Sequence, residues 1–105
     1  MAKYVLMTKL TPGEGSRPNR REAGKAWKSK VEALCPGIKW VAHYALLGPY
    51  DFMDVYEAPD DETAFKVSLL SREEGALTAE SWPAMAYESF LGVAAAVESV
   101  ERKKK

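Results

Sequence analysis

The sequence predicts an α+β fold of the ferredoxin-like βαββαβ type, with a four-stranded antiparallel sheet and both main helices on one of its faces. The chain has 105 residues, of which 47% are hydrophobic and 29% charged, as in a single globular domain. Runs rich in β-branched and aromatic residues alternate with segments of helical period in the order strand, helix, strand, strand, helix, strand. The turn between the second and third strands is so short that they form an antiparallel hairpin.

The first half of the chain supplies two strands and a helix. Residues 3–10 are rich in β-branched and aromatic types and stop at a Thr-Pro-Gly turn, which predicts a strand. A loop containing Gly, Ser and Pro leads to Asn19, and Glu22 follows three residues later, so we expect a capping box at a helix start. Apolar residues recur at helical spacing up to Leu34, where a Pro-Gly pair ends the helix. Residues 38–47 form the second predicted strand.

The second half supplies a hairpin partner, a second helix and a fourth strand. A turn at residues 48–50 leads into the third strand, which covers residues 51–57. Acidic residues lie at the start of a helix predicted over residues 60–74, where they interact favourably with the helix dipole. A fourth strand is expected at residues 76–81, ended by the Trp-Pro pair that follows. A last amphipathic helix covers about residues 84–100 and precedes a basic tail.

Both faces of the predicted hairpin are apolar, whereas a solvated sheet face would carry polar residues at every second position. With Leu47 opposite Asp51, strict alternation sorts the side chains into two faces. The aliphatic face is expected beneath the helices and consists of Val41, His43, Ala45, Leu47, Met53 and Val55. The aromatic face is expected on the uncovered side and consists of Trp40, Ala42, Tyr44, Leu46, Phe52, Asp54 and Tyr56.

An uncovered apolar face of this size predicts a partner, because soluble monomers rarely expose such a surface. A second copy of the chain is the simplest partner, since a two-fold contact needs a single self-complementary patch. We therefore expect a homodimer or a higher even oligomer that closes an eight-stranded barrel from two sheets.

Charge and cysteine content exclude several classes of protein. The 15 basic and 15 acidic residues give a net charge of zero, and no basic excess indicates a nucleic-acid partner. Cys35 is the single cysteine, so no internal disulfide forms, and we expect a buried side chain in a reducing compartment. Neither a signal-peptide pattern nor an apolar run of membrane-spanning length is present. The expected location is the cytoplasm, with no membrane partner.

A carboxylate among aromatic rings is the strongest candidate for chemistry. In a closed barrel Asp54 would lose contact with water and its pKa would rise, which suits a general base. The alternative is a structural Asp54 that accepts a hydrogen bond from Tyr44 or across a subunit interface. Asp51 also has a structural alternative, because carboxylates in turns often accept hydrogen bonds from backbone amides. The residues expected to contact a ligand are Trp40, Tyr44, Asp51, Phe52 and Tyr56.

No metal or cofactor is predicted. His43 is the single histidine, and without a second histidine or a nearby cysteine it forms no metal site by itself. On the aliphatic face it is expected as a hydrogen-bonded side chain beneath a helix.

The run Gly48-Pro49-Tyr50-Asp51-Phe52, followed by Glu57-Ala58-Pro59-Asp60-Asp61, resembles the signature of the GYD-domain family. The lead-in at residues 42–47 and the first strand, residues 4–11, are also similar to that family. The resemblance implies a ferredoxin-like domain of the dimeric α/β-barrel kind over residues 1–90, with a helical extension and basic tail at residues 91–105. It implies no activity, because the family is largely uncharacterised.

Three functions are consistent with these features. The first is an oligomer-forming domain that binds a small, partly apolar molecule near the aromatic face. The second is a small enzyme of the cofactor-free monooxygenase or isomerase type with Asp54 as its base. The third is a structural assembly unit whose aromatic face is filled by the partner's rings. The sequence slightly favours the first.

Overall fold

The computed structural model describes residues 1–13 and 19–104, and it has the predicted βαββαβ order followed by a third helix. The expected loop at residues 14–18 and the last residue of the basic tail lie outside the described residues. The elements are β1 (Ala2–Leu10), α1 (Arg20–Leu34), β2 (Lys39–Ala45), β3 (Phe52–Ala58), α2 (Asp61–Glu73), β4 (Ala76–Ala84) and α3 (Tyr87–Lys104).

The four strands form one antiparallel sheet in the order β2-β3-β1-β4. The helices α1 and α2 pack on one face of this sheet, as predicted. The buried cluster between helices and sheet consists of Tyr4, Leu6, Val31, Cys35, Tyr56, Ala58, Ala64 and Val67. The rings of Tyr4 and Tyr56 stack at its centre with centroids 5.4 Å apart. The expectation that Cys35 is buried is confirmed.

The two helix starts differ. The Asp60 carboxylate accepts hydrogen bonds from the backbone N–H and the hydroxyl of Thr63, at 2.9 and 2.7 Å, and so caps α2. Asn19 precedes α1, but its side chain makes no capping hydrogen bond and its φ of −103° and ψ of 39° are not extended. The predicted capping box was therefore wrong, and only the Asn19 carbonyl serves the helix, by accepting from the Ala23 N–H at 2.9 Å.

The fourth strand continues through the Trp-Pro pair that was expected to end it. Trp82 pairs with Val5 and Pro83 pairs with Tyr4, and β4 ends at Ala84. Proline is tolerated here because β4 is an edge strand, so the missing N–H removes no hydrogen bond to a further strand.

The predicted pairing of the hairpin was wrong by one residue. Ala45 pairs with Phe52, and the Leu46 N–H donates to the Asp51 carbonyl at 2.8 Å. Asp51 itself is bound to β1, because its N–H donates to the Thr8 carbonyl at 2.8 Å. The turn also uses Gly48 at φ +153°, a backbone conformation that favours glycine. A shift of one residue moves the β2 side chains at residues 42–45 to the opposite face relative to β3, whereas Trp40, on the other side of a β-bulge, still shares a face with Tyr56.

The assignment of the aromatic face to the uncovered side was wrong for Trp40, Phe52, Asp54 and Tyr56, whereas Tyr44 does lie on the uncovered side. Asp54 and Tyr56 are buried beneath the helices, and Trp27 of α1 packs on Trp40 with ring centroids 5.2 Å apart. The large rings fill the space between helix and sheet, which smaller aliphatic side chains would leave open. His43, in contrast, lies on the helix side as predicted.

The opposite side of the sheet, called here the open face, carries no described helix. It presents Val5, Tyr44, Met53, Val55 and Trp82, so it too is apolar.

The third helix extends away from the sheet. In the part of the chain that the structure describes, no other element packs extensively against α3, and the molecule measures 61 × 31 × 19 Å. Apolar side chains nevertheless recur along one side of α3 at Tyr87, Phe90, Val93, Val97 and Val100, all of them exposed. None of the described helices combines the length and apolarity needed to cross a bilayer.

Candidate functional site

A cavity of about 310 Å³ lies between α1 and the helix side of the sheet. His43 and Asp54 line it, and we call this pair the dyad and the space the dyad cavity. The other lining residues are Thr8, Leu10, Arg20, Gly24, Trp27, Lys28, Phe52, Ser71, Glu74 and Ala76.

The dyad is formed by two neighbouring strands. The observed pairing places His43 directly opposite Asp54, with Nδ1 of the imidazole 2.6 Å from Oδ1 of the carboxylate. A β-bulge between Trp40 and Ala42 turns both Trp40 and His43 toward the helices, with their ring centroids 5.1 Å apart. Trp40 and His43 are an odd number of positions apart in the sequence, so strict alternation would place them on opposite faces. The bulge brings both to the same face.

Asp54 is the buried member of the dyad and His43 the accessible one. The Asp54 side chain is 10% exposed, whereas the His43 side chain is 39% exposed. Burial raises the pKa of Asp54, and the hydrogen bond and charge interaction with His43 partly oppose that rise. An ionised Asp54 accepts the Nδ1 proton of the imidazole and leaves Nε2 as the nitrogen with a free lone pair.

Four residues of α1 form the roof of the dyad cavity. Arg20, Gly24, Trp27 and Lys28 follow the spacing i, i+4, i+7, i+8, which places them on one side of a helix. A Cβ atom built on Gly24 would meet no atom within 4 Å, so the absence of a side chain there contributes to the open space.

Aromatic and cationic groups surround the dyad. The rings of Trp27 and His43 meet edge to face at 6.5 Å, and the Trp27 indole N–H is held by the Ser71 hydroxyl at 2.8 Å. The Arg20 guanidinium lies over the Phe52 ring at 5.7 Å from its centroid. The cavity thus combines flat apolar walls with an acid–base pair and positive charge.

Two of the residues predicted from the sequence line the dyad cavity, namely Asp54 and Phe52. Trp40 and Tyr56 lie on the same side of the sheet but within the core. The Tyr56 hydroxyl is 2.7 Å from the Ser81 hydroxyl, and burial raises the pKa of Tyr56 to about 12. The Trp40 indole nitrogen is buried with no hydrogen-bond partner among the described residues.

The remaining two predicted residues lie elsewhere. Tyr44 pairs with Met53 on the open face and is 54% exposed. The Asp51 carboxylate accepts a hydrogen bond from the Leu10 N–H at 2.7 Å and joins the hairpin to β1. That is the structural role which the sequence left open for a turn carboxylate, and Asp51 does not line the cavity.

Sequence reasoning missed the contribution of α1. No basic residue of this helix was among the predicted site residues, yet Arg20 and Lys28 line the cavity beside Trp27. The spacing of these residues around Gly24 was the available signal, but without the position of the sheet it does not show which side of α1 is covered.

A larger groove of about 570 Å³ runs between α2 and β4. Two of its polar groups already have protein partners: the Tyr4 hydroxyl donates to Asp61, and the Trp82 indole N–H donates to Glu80 at 2.9 Å. The dyad cavity is the better candidate because His43 Nε2 has no partner within the described residues. Across residues 1–13 and 19–104, no group of three or more His, Cys, Asp or Glu side chains could hold a metal ion.

Comparison with known proteins identifies relatives of this chain. A family model described as the GYD domain matches residues 4–94. A Thermus thermophilus protein named glutamine synthetase and cystathionine beta-lyase binding protein is 44% identical over 41 residues. That match spans 39% of this chain and 43% of the relative, so less than half of the relative is covered.

Among solved structures, the crystal structure of FFRP-DM1 is similar to this fold. The TM-score is 0.53 at 16% sequence identity, and the match covers 81% of this chain and 100% of that chain. At this identity the likeness shows the ferredoxin-like fold alone.

Proposed function

The chain belongs to the GYD-domain family, and we propose that it is a self-associating domain that binds a small, partly apolar molecule in the dyad cavity. The observation that carries the proposal is a pocket of about 310 Å³ with aromatic walls and a dyad in which one nitrogen has no partner among the described residues. Binding sites for small molecules are mostly apolar clefts of about 300–1,000 Å³ with a few polar groups that orient the ligand. The volume lies at the small end of that range and favours a ligand of one or two rings.

The open face supports self-association. Val5, Val55 and Met53 are half-buried on it, while Tyr44 and Trp82 are 54% and 44% exposed. An exposed apolar surface of this kind is typical of an interface, and a second copy provides a matching one. In a dimer formed through the open face, the dyad cavities lie on the outer sides of the paired sheets and stay accessible.

The third helix supports a contact with a neighbouring subunit. An isolated helix of 18 residues is marginal in water, and packing of an apolar side usually stabilises it. The side of α3 formed by Phe90, Val93, Val97 and Val100 is available for such packing. The name of the Thermus relative says that it binds two enzymes, which supports a binding or assembly role for this chain as well.

A second candidate function is an enzyme that uses the dyad for proton transfer. The specific observation in its favour is the raised pKa of Asp54 beside an imidazole, since perturbed acid–base pairs in clefts are common at active sites. An enzyme of this kind would also bind its substrate in the dyad cavity, so both candidates share one site.

Native mass spectrometry of the gently purified protein tests the proposal. We expect an even-numbered oligomer that carries an added small mass. The matched variants are Gly24→Leu, which places a side chain in the cavity, and Gly92→Leu, at a helical glycine of α3 that also has no atom within 4 Å of a built Cβ. Gly24→Leu should lose the added mass and Gly92→Leu should keep it.

Three other outcomes of the mass spectrometry experiment would change the proposal. An even oligomer without bound mass would favour the assembly role over ligand binding. Retention of the added mass by Gly24→Leu would place the ligand outside the dyad cavity. A bare monomer would contradict self-association.

A further inference from the structure

We infer that His43 is the proton acceptor of the dyad cavity and that its ligands are small aromatic or conjugated molecules bearing an acidic hydroxyl, such as phenols and enols. The inference rests on the proposed function, because it takes the dyad cavity as the ligand site. It changes the role predicted for Asp54, which becomes a positioning residue.

The geometry of the dyad assigns the two roles. Asp54 holds Nδ1 of His43 at 2.6 Å, so the carboxylate fixes the orientation of the imidazole and its tautomer. Nε2 is the remaining nitrogen, and it has no partner in the described part of the chain. A base has to reach the proton that it removes, and the 39% exposed side chain of His43 is more accessible than the 10% exposed side chain of Asp54.

The walls of the cavity favour a flat ligand. Trp27 and Phe52 offer aromatic surfaces on the helix side and the sheet side, and Ser71 holds Trp27 in place. Aromatic rings attract one another beyond simple burial of area when they meet stacked or edge to face. A ring between these two side chains can direct a hydroxyl toward His43.

The charges of the cavity favour an oxyanion over a cation. Groups that face His43 are Arg20 and Lys28 on α1, Asp54 on β3, and Glu74 at the end of α2. Glu74 is paired with Lys30, and Asp54 is hydrogen-bonded to the imidazole, so both acids have close partners. The guanidinium of Arg20, which lies over the Phe52 ring, and the ammonium of Lys28 also line the cavity, and their positive charge favours a ligand that carries negative charge.

The chemical step is a single proton transfer. The ligand hydroxyl donates a hydrogen bond to Nε2, and the proton then moves to that nitrogen. The products are an oxyanion and an imidazolium, and the net charge of the site is unchanged. Asp54 stabilises the imidazolium through Nδ1, and the proton returns by the same path.

A pair of probes separates this inference from ligand binding in general. 4-Nitrophenol carries the acidic hydroxyl and absorbs visible light when ionised, whereas 4-nitroanisole has the same ring with a methyl ether. Both can be titrated against the intact protein while tryptophan fluorescence reports binding. We expect bound 4-nitrophenol to ionise at a lower pH than free 4-nitrophenol. His43→Gln should weaken 4-nitrophenol about tenfold, the scale of a hydrogen bond to a charged group, and 4-nitroanisole less than twofold.

The role of Asp54 has its own readout. Asp54→Asn keeps the shape of the side chain but removes the charge that selects the tautomer of His43. The ionisation of bound 4-nitrophenol should then move back toward that of the free probe, while 4-nitroanisole affinity stays within about twofold, since it makes no charged hydrogen bond.

The probe titrations distinguish the inference about His43 from the proposed function. Equal binding of the two probes, with His43→Gln unchanged for both, would overturn the inference and leave the cavity as a ligand site. Failure of both probes to bind the wild-type protein would contradict the inference and the proposed function together.

Discussion

Two opposing influences act on the pKa of Asp54. Burial raises the pKa of its carboxyl, while the hydrogen bond to His43 and the interaction of the two charges lower it. Burial is the larger influence, so the folded protein holds a proton on Asp54 more tightly than the unfolded chain does. An acid whose pKa is raised by folding contributes stability when protonated and loses that contribution as the pH rises through its raised pKa.

The direction in which folding shifts the pKa of Asp54 gives a prediction for Asp54→Asn. The free energy of unfolding of the wild-type protein should fall with rising pH, relative to the variant, between the usual pKa range of an aspartate and the raised value. Urea unfolding of both proteins across the acidic to neutral range measures the difference, in which the other carboxyl groups cancel. A difference that changes in the opposite direction would mean that the pairing with His43 outweighs burial.

At the scale of elements, the two main helices begin in different ways. Asp60 caps α2 through its side chain, and its hydrogen bonds to the Thr63 hydroxyl and backbone N–H lower the pKa of Asp60. Asn19 offers α1 only its carbonyl oxygen. Capping by a side chain stabilises a helix, so the two positions should respond differently to the loss of their side chains.

The matched substitutions are Asp60→Ala and Asn19→Ala. Asp60→Ala should lower the midpoint of urea unfolding, because the backbone N–H and the hydroxyl of Thr63 both lose their acceptor. Asn19→Ala should leave the midpoint nearly unchanged, and the difference between the variants should shrink as acid protonates Asp60. Equal shifts for both variants would contradict the account of how these helices begin.

The elements also show which parts of the fold follow from local sequence. The βαββαβ order was predicted correctly because hydrophobic period, turn residues and helix stops are all local signals. The hairpin register was not predicted correctly, because it depends on non-local contacts. Asp51 is bound to Leu10 of β1, 41 residues away in sequence, and the bulge after Trp40 interrupts the alternation of side chains. The covered face could not be identified either, since both predicted faces are largely apolar and each carries one polar residue, His43 on one and Asp54 on the other.

The candidate site, like the fold, was predicted only in part from local sequence. Phe52 and Asp54 were predicted as site residues because an acid among rings is visible in the sequence. Their partners Trp27 and Arg20 come from a helix whose rotation depends on packing against the sheet. Predicting the site in full therefore required the tertiary contacts of α1.

For the whole molecule, the proposed ligand site and the surfaces proposed for assembly are different. The dyad cavity lies on the helix side of the sheet, whereas the open face is on the other side and no residue of α3 is among those that line the cavity. A ligand can therefore reach its proposed site in an assembled protein. The two properties should be separable by mutation, as the Gly24→Leu and Gly92→Leu comparison requires.

The most direct test of the central claim uses the three tryptophans, each of which gives one indole N–H signal in a nitrogen-edited NMR spectrum. Trp27 lines the dyad cavity, Trp40 lies next to Trp27, and Trp82 is on the open face. On addition of 4-nitroanisole, which needs no proton transfer to bind, we expect the Trp27 signal to shift most and the Trp82 signal to stay in place. A shift of Trp82 with Trp27 unchanged would place the ligand outside the dyad cavity and contradict the account.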